Sequence, residues 1–225
     1  MHIMKTAGTT FTVQLVKHLG PDEVYPPEGP AKVFDYWAFD RLLELPPTEI
    51  DRIRVLHGHY PLFVGELIGV DRTFTILREP IDRLVSHLRQ ALRYDRDGRW
   101  SSIEELYDSD LGRHLIDYQV RQFSRTVDDD PLELDDRHLT TALDRLDTVD
   151  LVGFTDRFDG FVAAVHNRYG WDCRTPERLQ VAPDEACIDP AFRRRLVREN
   201  ELDVAFYAEA LARRGDRDTL VSSER

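Results

Sequence analysis

Lys5-Thr6-Ala7-Gly8-Thr9-Thr10 gathers one cation, three hydroxyls and two small residues into a single turn. Small residues let a backbone approach an anion, amides at a helix start point at it, hydroxyls donate to it, and a lysine supplies charge. Residues Phe11 to Leu19 follow with amphipathic spacing, so the turn is expected to be a phosphate-cradling loop that opens a helix. It is not a Walker A loop, in which the lysine follows the glycines as G-K-[ST]; here Lys5 precedes Gly8. Read blandly, the same residues are a strand-to-helix turn capped by Thr9.

Two further segments carry chemistry. In Arg78-Glu79-Pro80-Ile81-Asp82-Arg83-Leu84-Val85-Ser86 an arginine ends an apolar run and a serine lies about two turns along the helix that Pro80 starts. A strand-end guanidinium and a helical hydroxyl can converge on one phosphate, the guanidinium offering paired donors. Taken alone, Arg78 reads as a surface cation beside Glu79. In His57-Gly58-His59, residues two apart on a strand point to the same side, so both imidazoles are expected to face one cleft. Such a pair suits proton transfer near neutral pH. No third ligand stands at a spacing that would make it a metal site. His87, His114 and His138 fall on predicted helices and receive no role.

The elements that must position these residues alternate between strands and helices. Met1 to Ile3 reads as the stub of a first strand, followed by the loop and a helix from about Thr9 to Leu19. A Pro/Gly-rich connector covers Pro21 to Pro30, with a strand at Lys32 to Tyr36 and a helix at Ala38 to Leu45. Strands are expected at Arg54 to His59, Thr73 to Leu77 and Leu151 to Phe154. Helices are expected at Pro80 to Tyr94, Ser102 to Tyr107, Leu111 to Ser124, Asp135 to Leu146, Asp156 to Tyr169 and Pro190 to Arg213. Cys173 to Ile188 reads as irregular. Such alternation implies a parallel sheet covered on both faces, with ligands beyond the carboxyl ends of its strands.

The chain of 225 residues is expected to form one domain over residues 1–215, with residues 216–225 as a polar, flexible tail. A formal net charge of −12 opposes nucleic acid and other polyanions at long range. The run Asp128 to Asp136 reads as a solvated acidic loop. No apolar run approaches the ~18 residues of a membrane span and no basic-then-apolar leader is visible, so a cytoplasmic protein is expected. Cys173 and Cys187 are 14 positions apart without CxxC spacing and are expected to be free thiols.

Taken in order, the three segments resemble the sulfotransferases that use 3′-phosphoadenosine 5′-phosphosulfate (PAPS), above all the carbohydrate branch with the heparan sulfate and uronyl 2-O-sulfotransferases. Lys5 to Thr10 is similar to that family's 5′-phosphosulfate loop, and R-x-P-x-x-R-x-x-S from Arg78 to Ser86 to its 3′-phosphate site. His57-Gly58-His59 resembles the histidine pair that supplies the base in the 2-O branch. Weaker likenesses lie in Asp117 to Gln122, Leu151 to Phe158 and Asn200 to Tyr207. The resemblance implies a P-loop-like three-layer α/β fold, with a central parallel sheet flanked by helices. It implies PAPS as donor, 3′-phosphoadenosine 5′-phosphate (PAP) as product, and no metal. Lys5 would neutralise the leaving oxygen, and Thr6, Ala7, Gly8, Thr9 and Thr10 would hold the 5′-phosphate. Arg78 and Ser86 would hold the 3′-phosphate, while His59, or else His57, takes the acceptor's proton. Glu66 is the carboxylate alternative for that base. Acceptors implied are a saccharide, glycolipid or small metabolite. The rival readings are a P-loop kinase or NTPase and a non-catalytic nucleotide-binding relative.

Overall fold

A computed structural model of the chain describes residues 1, 3–6, 11, 13–15, 17, 19–20, 23–26, 39–129, 133–173 and 188–215. It is a mixed α/β structure with short parallel strand pairs. The strands are β1 (Val24–Tyr25), β2 (Val55–Leu56), β3 (Phe74–Leu77) and β4 (Leu151–Phe154). The helices up to the middle of the chain are α1 (Phe39–Leu43), α2 (Pro47–Ile50), α3 (Leu62–Leu67), α4 (Pro80–Tyr94), α5 (Ile103–Tyr107) and α6 (Asp110–Arg113). Then come α7 (Tyr118–Ser124), α8 (Asp136–Leu146), α9 (Phe158–Tyr169), α10 (Pro190–Glu199) and α11 (Glu201–Arg214). The expected strand at Lys32 to Tyr36, the residues Ala7 to Thr10, Cys187 and the tail 216–225 lie outside the described residues.

β1 pairs in parallel with β2, and β3 in parallel with β4 in the register Phe74↔Leu151 to Leu77↔Phe154. Alternation along the second pair sends side chains into two apolar clusters. Leu77, Val152 and Phe154 join α4, α7, α8 and α11 in the larger one, where the Phe123 and Phe206 rings meet at a tilt of 53° with centroids 4.9 Å apart. Ile76 and Leu151 join Phe11, Leu15 and α9 in the other, where the Phe11 and Phe161 rings meet edge-on at 5.1 Å. Gly153 lets α9 come this close, because a Cβ there would lie 2.5 Å from the Phe161 ring.

Local chemistry fixes the helix starts. Pro80 opens α4, and the Glu79 carboxylate accepts the Asp82 amide at 2.7 Å. Ser102 caps α5, and Asp135 caps α8 in a box closed by His138. Gly170 ends α9 with φ 73°.

Several expectations are corrected. The connector at Pro21 to Pro30 contains a strand, β1, which pairs with β2. The strand expected at Arg54 to His59 closes after Leu56. Helices α2 and α3 were not foreseen; each begins right after or on a proline. The single helix expected from Leu111 to Ser124 is two, divided where Asp117 takes a left-handed φ of 47°. The terminal helix is likewise broken at Asn200. Both breaks have one cause, the reciprocal capping described next.

Candidate functional site

Arg78 follows the last residue of β3 and is held from behind by a buried polar network. Its amide donates to Gln119 Oε1 (3.2 Å), and its carbonyl accepts from Gln119 Nε2 (3.0 Å). Gln119 is fully buried at the start of α7. The Asp203 carboxylate, on α11, accepts the amides of Gln119 (3.1 Å) and Val120 (2.8 Å). Asp117 returns the favour by accepting the Asp203 amide at 2.8 Å, while Asn200 Oδ1 accepts the Asp117 amide at 3.1 Å. Two helix N-termini thus cap one another, which is why the chain must leave helical geometry at both Asp117 and Asn200.

This network holds its charges away from water. Burial and the neighbouring Asp203 charge push the Asp117 carboxyl up to about 7. Burial likewise raises Asp203, opposed by Arg83. Arg83 is fully buried, stacks over the Tyr118 ring at 4.9 Å and donates Nη2 to the Leu115 carbonyl at 3.2 Å. Sequence reasoning gave Arg83 no role beyond its place in the motif. The segments around Asp117 and Asn200, noted as weaker likenesses, prove to be the supports under Arg78.

Lys5 sits in the turn after the opening residues with φ 69°, an uncommon conformation for a residue with a Cβ. Two bonds hold it there. Arg78 Nη1 donates to the Lys5 carbonyl (3.2 Å), and Lys5 Nζ donates to Gln90 Oε1 (2.8 Å) on α4. The structure therefore joins the Lys5 turn to the Arg78 segment directly. Ser86 is half-buried on the same helix as Gln90, one turn before it. Thr6 is buried, and its hydroxyl donates to the Ile3 carbonyl at 2.8 Å, so its side chain braces the turn from inside.

The two histidines part company. Gly58 has φ 150°, and a Cβ there would strike the Tyr60 ring at 2.6 Å, so strand alternation does not carry through to His59. His57 is buried, with Nε2 3.2 Å from the Pro26 carbonyl, and desolvation pushes its imidazole down to about 4. His59 is half-buried and lies within electrostatic reach of His87. Burial, with the charges of Arg83, Lys5 and His59, lowers His87 to about 3. His87, to which the sequence gave no role, thus stands within electrostatic reach of Arg83, Lys5 and His59. Its position one after Ser86, and one turn before Gln90, was the available signal.

Other expectations resolve more simply. Glu66 is exposed on α3, where Arg145 Nη2 donates to it at 3.3 Å. Arg121 is buried at 4% exposure and adds no positive charge to the surface. Cys173 is a buried free thiol that desolvation pushes up to about 11. Among the described residues, no group of three or more His, Cys, Asp or Glu is arranged to hold a metal, and no helix is long and apolar enough to cross a membrane. Set beside known proteins, the chain matches no family model and no curated protein.

Proposed function

We propose that the protein is an O-sulfotransferase that moves a sulfuryl group from PAPS to an acceptor hydroxyl, on a P-loop-like three-layer fold in which β3 and β4 belong to the central sheet. The observation that carries this reading is the Arg78–Lys5 hydrogen bond, 3.2 Å long, between the two segments that resemble the ends of a bisphosphorylated-adenosine site. Further support comes from Gln90 and Ser86 sharing one helix, so that the Lys5 ammonium and the Ser86 hydroxyl are fixed to one rigid element.

The chemistry asks for positioning and charge more than for covalent work. Arg78 and Ser86 hold the 3′-phosphate, which distinguishes this donor from ATP. Amides of the turn through Thr10 hold the 5′-phosphate; Thr6 contributes bracing, since its hydroxyl already serves Ile3. His59 takes the acceptor's proton as the acceptor oxygen bonds to sulfur. The bond from sulfur to the bridging oxygen breaks, and Lys5 balances the charge left on PAP. His57 is the weaker base, because a group held near 4 has little proton affinity at neutral pH. His87, held near 3 by burial, stays neutral there. A net charge of −12 and the burial of Arg121 favour a neutral or weakly charged saccharide, glycolipid or small metabolite as acceptor.

The test is incubation with isotope-labelled PAPS and a panel of hydroxylated acceptors, read by mass spectrometry. Transfer of labelled sulfate to one acceptor class is expected. Hydrolysis of ATP or GTP without sulfate transfer would replace the reading with an NTPase.

A further inference from the structure

The joint behind Arg78 brings two buried carboxylates together without bonding either to a cation. Asp117 and Asp203 cap each other's helices, α7 and α11, and every hydrogen bond their side chains accept comes from a backbone amide. Arg83, the fully buried cation facing them from α4, gives Nη2 to the Leu115 carbonyl and leaves Nε and Nη1 without a partner. Other groups acting on the joint are Arg78 after β3, Tyr118 and Arg121 on α7, and Glu201 on α11. From α5, the Tyr107 hydroxyl accepts from Asn200 Nδ2 at 3.2 Å. The backbone is hinged at both capping points. Asp117 stands at φ 47° between α6 and α7, and Asn200 divides α10 from α11, so these elements can shift without a helix being broken.

We propose that this joint is a proton-dependent latch: with Asp117 protonated, α7 and α11 cap one another and Gln119 grips the Arg78 backbone, and loss of that proton loosens both grips. The proton stands on Oδ2, so Oδ1 still accepts the Asp203 amide. Without it, two negative charges share one contact shielded from water, with Arg83 beside them and bonded to neither. Burial and the Asp203 charge hold the Asp117 carboxyl up at about 7, whereas an open, hydrated joint releases the proton in the ordinary carboxylate range. Between those two values rising pH therefore favours the open joint, and the effect levels off above about 7. Gln119 passes the change on. Its side chain makes both bonds to the Arg78 backbone, and its own amide is one of the two that Asp203 caps. The latch needs no ligand; only its consequence for donor binding rests on the sulfotransferase reading.

Amide hydrogen exchange of the full chain, followed by NMR from pH 5.5 to pH 8 and corrected for the intrinsic rate, tests this without a nucleotide. Protection at Arg78, Gln119 and Val120 is expected to fall at least ~10-fold across that range, since one pKa unit is a factor of ten in the opening constant. Leu88, buried in α4, should stay better protected than these three at every pH. Asp117→Asn keeps an oxygen for the Asp203 amide and tolerates the left-handed backbone. In that variant the fall should shrink below ~3-fold. The Asp117 carboxyl carbon of the native chain should titrate near 7. A flat profile in the native chain, or an equal fall in Asp117→Asn, would overturn the proposal. So would protection at Leu88 no better than at the joint, which would make the opening global, or an Asp117 titration in the ordinary carboxylate range.

Discussion

Behind Arg78, the side chains of Gln119, Asn200 and Asp203 are buried and meet backbone partners at 2.8 to 3.2 Å. Between β2 and β3, His57, Thr75 and the Met1 amine are also withdrawn from water, yet the Thr75 hydroxyl has no partner and His57 and the amine are both driven toward their neutral forms. Burying polar groups is answered by backbone partners at Gln119, Asn200 and Asp203 and is unanswered at Thr75. The first region also carries a cost, at Asp117 and at Arg83, whose Nε and Nη1 have no partner. Lys5 lies at the seam, its carbonyl tied to the first region through Arg78 and its neighbour Thr6 lining the second.

The sharpest break concerns the histidines, one on each side of Gly58. His59→Gln is expected to lower sulfate transfer by ~10²–10⁴-fold, whereas His57→Gln keeps near-native turnover at neutral pH. Steady-state rates with PAPS decide it, and equal losses would erase the distinction drawn from their surroundings. Next in size is Asp203→Ala, which strips the caps from Gln119 and Val120 and leaves Arg83 without its counter-charge. A loss of about 3 kcal/mol or more in urea unfolding is expected, with weaker donor binding because Gln119 no longer fixes Arg78. A loss under about 1 kcal/mol would mean the network is dispensable.

Acid probes the second region. His57 has a folded pKa near 4 and an ordinary value of 6.5, so the unfolded chain binds more protons between them. Its contribution to stability is complete above pH 6.5 and is lost as pH falls toward 4. Asp117, raised to about 7, works in the opposite sense: it costs stability above pH 7 and the cost fades as pH falls toward its ordinary 3.8. His57→Gln should therefore lessen the drop in urea midpoint between pH 7 and pH 4.5. An unchanged drop would contradict the burial of a neutral imidazole. The smallest effect is the most telling contrast: Thr75→Val removes a hydroxyl without a partner and should gain about 1 kcal/mol, raising the thermal midpoint by ~2–4 °C.

Much of this architecture was legible because punctuation and period agreed. Pro80 to Tyr94, Leu151 to Phe154 and the caps at Ser102 and Asp135 match their expected bounds, each marked by a proline, a serine, an aspartate or a short apolar run. The breaks at Asp117 and Asn200 were not legible, since each is imposed by a partner more than eighty residues away in the chain. The hydrogen bond from Arg78 to Lys5 was not legible; the resemblance implied only that their segments hold the two ends of one ligand. That His57 and His59 diverge depends on Gly58 adopting φ 150°, a choice that strand periodicity hides. His87 received no role in the sequence because a lone histidine on a helix has no signature until its neighbours are known.

The central claim is that one bisphosphorylated adenosine is held jointly by the Lys5 turn and by Arg78. Titration calorimetry with PAP and with ADP, on the native chain and on Arg78→Ala, tests it most directly. The account predicts single-site binding of PAP tighter than that of ADP, weakened ~10–100-fold by Arg78→Ala. No heat with PAP, or equal affinity for both nucleotides in both proteins, would contradict it.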